Sequence, residues 1–187
     1  MAKVKANVAA IKIKKKVWYS IMAPEAFNGI KIGETYVADA GAAVGRIVQV
    51  NLRDVTDNIK DQSVYVQFRI TGVTNNTFST EPVGQYMMPA TVKKLTRRTA
   101  SRMDESFVVV TSDGKRVRIK PVLITVNRTV GSICAALRKA CASFVAREAA
   151  KVTFLDLMRS IIMRKLQSDV KKKLSKILSE ALLYFSL

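Results

Sequence analysis

Histidine is absent from the 187 residues, and cysteine occurs only twice. Without imidazole, the commonest general base and the commonest metal ligand are missing, so catalysis would fall to scattered carboxylates or a lysine. The two thiols, Cys134 and Cys141, are too few for a zinc site on their own. Placed seven apart on a helix, they share a face but stand about 10 Å apart along the axis, beyond disulfide reach. Both are expected to be buried free thiols. Long apolar runs are missing too. The longest uncharged stretches, residues 70–80 and 82–92, are partly polar and fall short of the roughly 18 apolar residues that span a bilayer. The first sixteen residues lack a continuous apolar core and a small-residue cleavage site, so no secretory signal is read there. A cytoplasmic chain with no membrane partner and no cofactor is expected.

Acidic residues are also scarce, 14 against 32 basic ones, for a formal charge of +18. Such a charge opposes compaction until a polyanion neutralises it. The excess is spread along the chain: 11 basic and 7 acidic residues before position 91, 10 and 3 over 91–128, 11 and 4 thereafter. That spread suits nucleic acid contacting several sides better than one polybasic membrane anchor. With 49% hydrophobic residues the chain can nonetheless fold around a core.

The densest basic stretch runs from Lys93 to Arg128. Two β-rich runs, 107–112 and 115–120, flank Asp113-Gly114, a pair suited to a type I′ turn with positive φ at both central positions. An antiparallel hairpin is predicted. Alternation then puts Arg116, Arg118 and Lys120 on one face and Val117 and Ile119 on the other. Residues on one face recur about every 6.6 to 7 Å, near the spacing of successive phosphates on a nucleic-acid strand. Upstream, Lys93, Lys94, Arg97, Arg98 and Arg102 are interleaved with Thr96, Thr99 and Ser101, small hydroxyls that can also donate to phosphate. With Lys115 and Arg128, the stretch holds ten cations against Asp104, Glu105 and Asp113, too lopsided for internal pairing. Lys14, Lys15 and Lys16 complete the candidate RNA-binding set.

In chain order, residues 1–16 read as a basic tail that orders on its partner. Residues 17–23 read as a short strand ended by Pro24, with Trp18 and Tyr19 expected in core or edge packing rather than stacked on bases. The four glycines from Gly29 to Gly45 lack phosphate-loop spacing and read as turns. Strands follow at 44–52, with Val44, Val48, Val50 and Leu52 on one face, and at 63–73, where Val64, Val66, Phe68 and Ile70 alternate with polar residues. Asn75-Asn76 reads as a turn into a strand at 77–80, followed by a less regular stretch to 92. Asp54, Asp57 and Asp61 are the most metal-like grouping, read as a solvated acidic loop.

From Gly131 the period becomes helical, with a stripe of Ile133, Ala136, Leu137, Ala140 and Phe144. A second helix starts at Thr153, capped with the help of Asp156, with Phe154, Leu157, Met158, Ile161 and Ile162 as its apolar positions. Ser168 is placed to cap a third helix or to punctuate a long one, with Val170, Leu174, Ile177, Leu178, Ala181 and Leu182 as the stripe. The fold class read from this order is α+β: a strand-rich, antiparallel body over 17–130, followed by C-terminal helices over 131–187 packed on it.

These residues carry a resemblance. Trp18-Tyr19 with Ala23-Pro24 and Phe27, Ile32-Gly33-Glu34-Thr35, Gly45-Arg46-Ile47-Val48 with Leu52 and Asp54, and Phe68-Arg69-Ile70 follow one another in a familiar order. Arg97-Arg98 with Ser101-Arg102, Thr111 with Asp113-Gly114, Val117-Arg118, Ile124-Thr125 with Arg128, and Leu137-Arg138-Lys139 continue it. Over most of its length the chain resembles the small-subunit ribosomal proteins of archaea and eukaryotes of the S3Ae family, also called eS1, in their compact archaeal form. It departs from them at its end, which lacks the usual Tyr-Pro-Leu-Arg. The resemblance implies a barrel-like body with helices, no enzymatic activity, and a place on the platform of the small subunit near the messenger exit. It also implies small-subunit rRNA and neighbouring platform proteins as partners, and leaves contact with mRNA open. The alternative reading is a free-standing RNA-binding factor or RNA chaperone with the same charge logic.

Overall fold

A computed structural model of the chain describes residues 15–27, 29–96, 98–178 and 181–186. The chain divides into two compact units, Met1–Arg46 with Arg69–Glu81, and Ile47–Phe68 with Pro82–Leu187.

The first unit is built on strands β1 (Val17–Met22) and β2 (Lys31–Val37), paired antiparallel with Trp18 opposite Tyr36 and Ser20 opposite Glu34. Alternation turns Ile21 and Val37 inward. The stretch from Gly29 to Gly45, expected to be turns throughout, therefore contains a strand. β2 keeps a β-favouring Thr35-Tyr36-Val37 end that the count of glycines obscured. Strand β4 (Val64–Thr74) turns at Asn75-Asn76 into β5 (Thr77–Met87). Both asparagines have positive φ, 45° and 63°. That is the geometry of a two-residue type I′ turn, which Asn tolerates better than most residues. β1 pairs parallel with β5 at Ser20 to Met22, and Thr80 Oγ1 donates to the Met22 carbonyl at 2.8 Å. β5 runs on through Pro82 to Met87, so the stretch after 80 is more regular than its mixed composition suggested.

With β3 (Ile47–Asn51), these strands form a five-stranded mixed sheet in the order β2-β1-β5-β4-β3. In β3 and after it Val50 and Leu52 are buried, whereas Val44, expected on their face, is exposed before the strand begins. Leu52 itself opens helix α1 (Leu52–Thr56), whose N-cap Asn51 accepts from the Arg53 N–H at 3.0 Å.

In the second unit, α2 (Pro89–Leu95) leads into β6 (Arg102–Asp104), β7 (Phe107–Val110) and β8 (Arg116–Thr125). Both β6 and β7 pair antiparallel with β8 in one unbroken register: Arg102 lies opposite Ile124, and Phe107 opposite Ile119. They are two halves of one interrupted strand, bridged by the Glu105 N–H donating to the Pro121 carbonyl at 3.2 Å. The other edge of β8 is taken by β9 (Ala181–Ser186), antiparallel over Lys120 to Thr125. Residues 181–182, expected on a helical stripe, are therefore strand. Among the described residues neither sheet closes into a barrel, and the first is mixed rather than antiparallel. Over Val122 to Ile124 both edges of β8 are filled by neighbours from its own unit, β6 on one side and β9 on the other, so that part of the strand cannot extend a barrel wall.

Three helices follow β8: α3 (Gly131–Ala149), α4 (Phe154–Ile162) and α5 (Lys165–Leu174). The buried line of α3 is Leu137, Cys141, Val145 and Ala149, one residue every four. It is rotated from the expected stripe, so Ala136 is exposed while Ile133, Ala140 and Phe144 flank the line. α4 behaves as its sequence predicts: Thr153 Oγ1 accepts from the Asp156 N–H, and Leu157, Met158 and Ile161 are buried. α5 starts three residues before Ser168, because the chain reverses at Arg164, which takes a left-handed conformation with φ 59°. Ser168 instead donates its hydroxyl to the Arg164 carbonyl at 3.1 Å. The inner faces of these helices and of β6 to β9 form one apolar cluster that includes Met103, Val117, Ile119, Leu123, Leu157, Val170 and Phe185.

The two thiols are free, but only Cys141 is buried; Cys134 is half-buried, its sulfur 3.1 Å from Thr129 Oγ1. Burial pushes the Cys141 thiol up to about 12, and the charge of Glu105 adds to the effect. Only the thiolate is nucleophilic, so Cys141 should resist alkylation in the native protein at about pH 8. Peptide mapping after a brief iodoacetamide pulse should find the label on Cys134 first and on Cys141 only in denaturant. Equal native labelling of the two would contradict the burial assigned to Cys141.

Candidate nucleic-acid interface

The outward face of β8 carries Arg116, Arg118 and Lys120, all exposed, while Val117 and Ile119 between them are buried. The pleat thus separates a cationic face from a packed one, as the alternation predicts. The register sets Val110 opposite Arg116 and Val108 opposite Arg118, and both valines are half exposed at 52%. The row of cations therefore runs beside a strip of apolar surface, a feature legible from alternation once β7 is paired.

The turn differs from the expected type I′. Of its central residues only Gly114 has positive φ, 73°, and Asp113 does not. The Gly114 N–H donates to the Thr111 carbonyl at 2.9 Å and the Thr111 N–H to the Lys115 carbonyl at 3.1 Å. This is the longer hairpin loop in which a type I turn is followed by a left-handed glycine. The reason lies outside the hairpin: the Asp113 carboxylate accepts from the Phe154 N–H at 3.0 Å, at the start of α4, and the Ser112 N–H donates to the Val152 carbonyl. A carboxylate at a helix N-terminus is favoured by the unpaired N–H groups there. The tip is pinned to α4, and the Lys115 ammonium lies 5.3 Å from the Phe154 ring centre.

The three acids of the basic stretch all have other business. Asp113 caps α4. Asp104 receives both arms of Arg102, Nε to Oδ1 at 2.9 Å and Nη2 to Oδ2 at 2.7 Å. Glu105 faces Arg138 of α3 at 3.5 Å. Among the described residues, Arg116, Arg118 and Lys120 form no ion pair with a carboxylate, so their charge is available to a ligand. Arg102 is different: its guanidinium is engaged in the plane a phosphate would use, and its proton is held more tightly than usual by the hydrogen bonds it donates to Asp104.

Lys93 from the last turn of α2, Arg102 from β6 and Lys120 from β8 line one cleft of about 550 Å³ together with Asp104 and Glu105. Lys94 is exposed on the same turn, and Arg98 is exposed in the turn that follows. Arg128 is exposed beyond the far end of β8, where the Thr129 N–H donates to Ser101 Oγ at 3.1 Å. Of the hydroxyls expected as phosphate donors, Thr96 donates internally, to the Val92 carbonyl at 2.9 Å, whereas Ser101 Oγ acts as the acceptor just described. Thr99 remains exposed. Lys15 and Lys16 are exposed in the other unit; Lys14 and Arg97 lie outside the described residues. The acidic grouping expected near α1 is not a cation site: Asp61 accepts from Arg164 at 2.9 Å and from Thr56 at 3.3 Å. Among the described residues no three metal-ligating side chains converge.

The family model described as the Ribosomal S3Ae family matches residues 5–181. The chain belongs to the ribosomal S3Ae family. Membership makes it a ribosomal protein rather than an enzyme. It is similar to a protein of Methanothrix thermoacetophila named small ribosomal subunit protein eS1, 32% identical over 168 residues, which are 90% of this chain and 80% of the relative. A protein of that name from Methanopyrus kandleri is 35% identical over 79% of the chain and 70% of its own length. Another, from Nanoarchaeum equitans, is 31% identical over 88% and 83%.

Proposed function

We propose that this S3Ae protein is a structural constituent of the small ribosomal subunit, binding small-subunit rRNA in the cytoplasm through Lys and Arg contacts to phosphates. Its place, by the same reading, is on the platform near the messenger exit, beside neighbouring platform proteins. The observation that carries the proposal is the Arg116, Arg118, Lys120 row, exposed on a strand whose other face is anchored in the core, with every nearby acid engaged elsewhere. Family membership and the names of the archaeal relatives support the small subunit as the particle. The mechanism is electrostatic: the folded body fixes the charges in space, counter-ions leave the RNA, and shape is recognised more than sequence.

Reconstitution tests it. Small subunits assembled with the Arg116→Ala, Arg118→Ala, Lys120→Ala triple variant should contain markedly less of the protein after a salt wash than those assembled with the parent chain. Unchanged co-sedimentation would remove the row from the interface. Stoichiometric retention of the parent chain in salt-washed subunits separates a fixed constituent from a free-standing RNA-binding factor, which would wash off.

A further inference from the structure

The sequence places Trp18 in core or edge packing, because aromatics beside an apolar run are usually buried. The structure puts it elsewhere. Inward positions of β1 are taken by Ile21, 3% exposed, and by Tyr19, whose ring meets Phe78 at 5.1 Å. Strand alternation therefore turns Trp18 outward, where it is 61% exposed. Its cross-strand partner Tyr36 is 49% exposed, and the two rings lie 4.9 Å apart. The Lys16 ammonium sits 5.7 Å from the centre of the Tyr36 ring, and Lys15, the residue before it in the chain, is also exposed. On the same face Glu34 lies one pair further along, and its carboxylate is engaged by Lys31. The indole N–H of Trp18 has no hydrogen-bond partner among the described residues.

We infer that Trp18 and Tyr36 form a stacking platform for an unpaired nucleobase of a single-stranded RNA segment, with Lys16 and Lys15 placed for the flanking phosphate. The inference shares with the proposed function only the premise that the partner is RNA. Several observations favour RNA over an apolar protein surface. Two large π faces side by side on a sheet, next to ammonium groups, match both parts of a nucleotide, base and phosphate. The chain's charge of +18 attracts a polyanion. Glu34, the acid one pair along from Trp18 and Tyr36, is already engaged by Lys31, which weakens its repulsion of phosphate.

Trp18 is the sole tryptophan of the chain, which makes its fluorescence a reporter of this face alone. Titration of the full chain with a short single-stranded oligoadenylate should quench it in a saturable way. The duplex of equal length and inorganic polyphosphate should bind without matching that quenching. Base–aromatic stacking is worth about 1 to 3 kcal/mol per base, so Trp18→Ala should weaken oligoadenylate binding about 5- to 150-fold. Trp18→Phe should retain most of the affinity, and neither variant should change polyphosphate binding. Equal quenching by polyphosphate, or undiminished oligoadenylate affinity in Trp18→Ala, would overturn the platform and leave the face to a protein neighbour. Should that happen while the hairpin triple variant still loses RNA, only the platform fails; should Trp18 respond while the triple variant binds normally, the assignment of the hairpin fails instead.

Discussion

The affinity of the intact protein for a small-subunit rRNA fragment is expected to fall by roughly 10³- to 10⁵-fold as salt rises from about 50 to 200 mM. The expectation follows from which cations are uncommitted. Among the described residues, Lys93, Lys94, Arg98, Arg116, Arg118, Lys120 and Arg128 make no ion pair, and Lys115 contacts only the face of Phe154. A set of this size can reach about 6 to 10 phosphates, and each contact releases close to one condensed counter-ion. Counter-ion release is entropic and weakens as bulk salt rises, which produces the steep slope. The Arg116→Ala, Arg118→Ala, Lys120→Ala variant should lower that slope by about two to three units of log affinity per log salt, at about 0.7 to 0.9 for each lost contact. Anisotropy titrations at several salt concentrations measure both quantities. A slope near zero, or one unchanged in the variant, would rule out phosphate neutralisation by this row.

Two adjacent residues of β8 should give opposite phenotypes. Ile119 is fully buried in the apolar cluster shared by β8 and the helices. Ile119→Ala removes that packing and leaves a cavity, which costs about 2 to 5 kcal/mol. Total stability for a domain is about 5 to 15 kcal/mol, so this one change takes a large share of it. Arg118 is exposed and unpaired, and Arg118→Ala should stay within about 0.5 kcal/mol of the parent. Urea unfolding followed by circular dichroism should therefore show a large drop in midpoint for Ile119→Ala alone, while RNA titration of folded protein should register Arg118→Ala. Comparable unfolding midpoints for the two variants would contradict the two-faced strand on which the interface depends.

What could be read in advance was local. The alternation of β4, the Asn75-Asn76 turn, the cationic and apolar faces of β8, and the Thr153 cap all depend on residues within a few positions of one another. Where local pattern was ambiguous, it misled. Residues 181–186 are a short apolar run, and periodicity alone cannot tell a strand of that length from a helix segment. The open edge of β8 decided in favour of the strand. The α3 stripe was right at Leu137, Ile133, Ala140 and Phe144, wrong at Ala136, and missed Cys141, Val145 and Ala149, because small residues fill most of that helix and alanine fits either face. The barrel expected from the resemblance was not found, since closure is a property of strand edges and not of strand content.

The sequence by itself determined the sign and size of the charge, the lack of imidazole, the family, and the separation of β8 into two faces. Composition and covalent alternation do not depend on what the chain packs against. Only the tertiary structure decided which charges stay uncompensated and which aromatics face outward. Asp113 is removed from the cationic row by an N–H 41 residues away, and Asp61 from any cation site by an arginine 103 residues away. Trp18 is turned outward because Ile21 and Val37 hold the inner face of their hairpin. Such outcomes depend on pairing between distant segments, whose register is set by burial of the whole core and not by any short stretch of sequence.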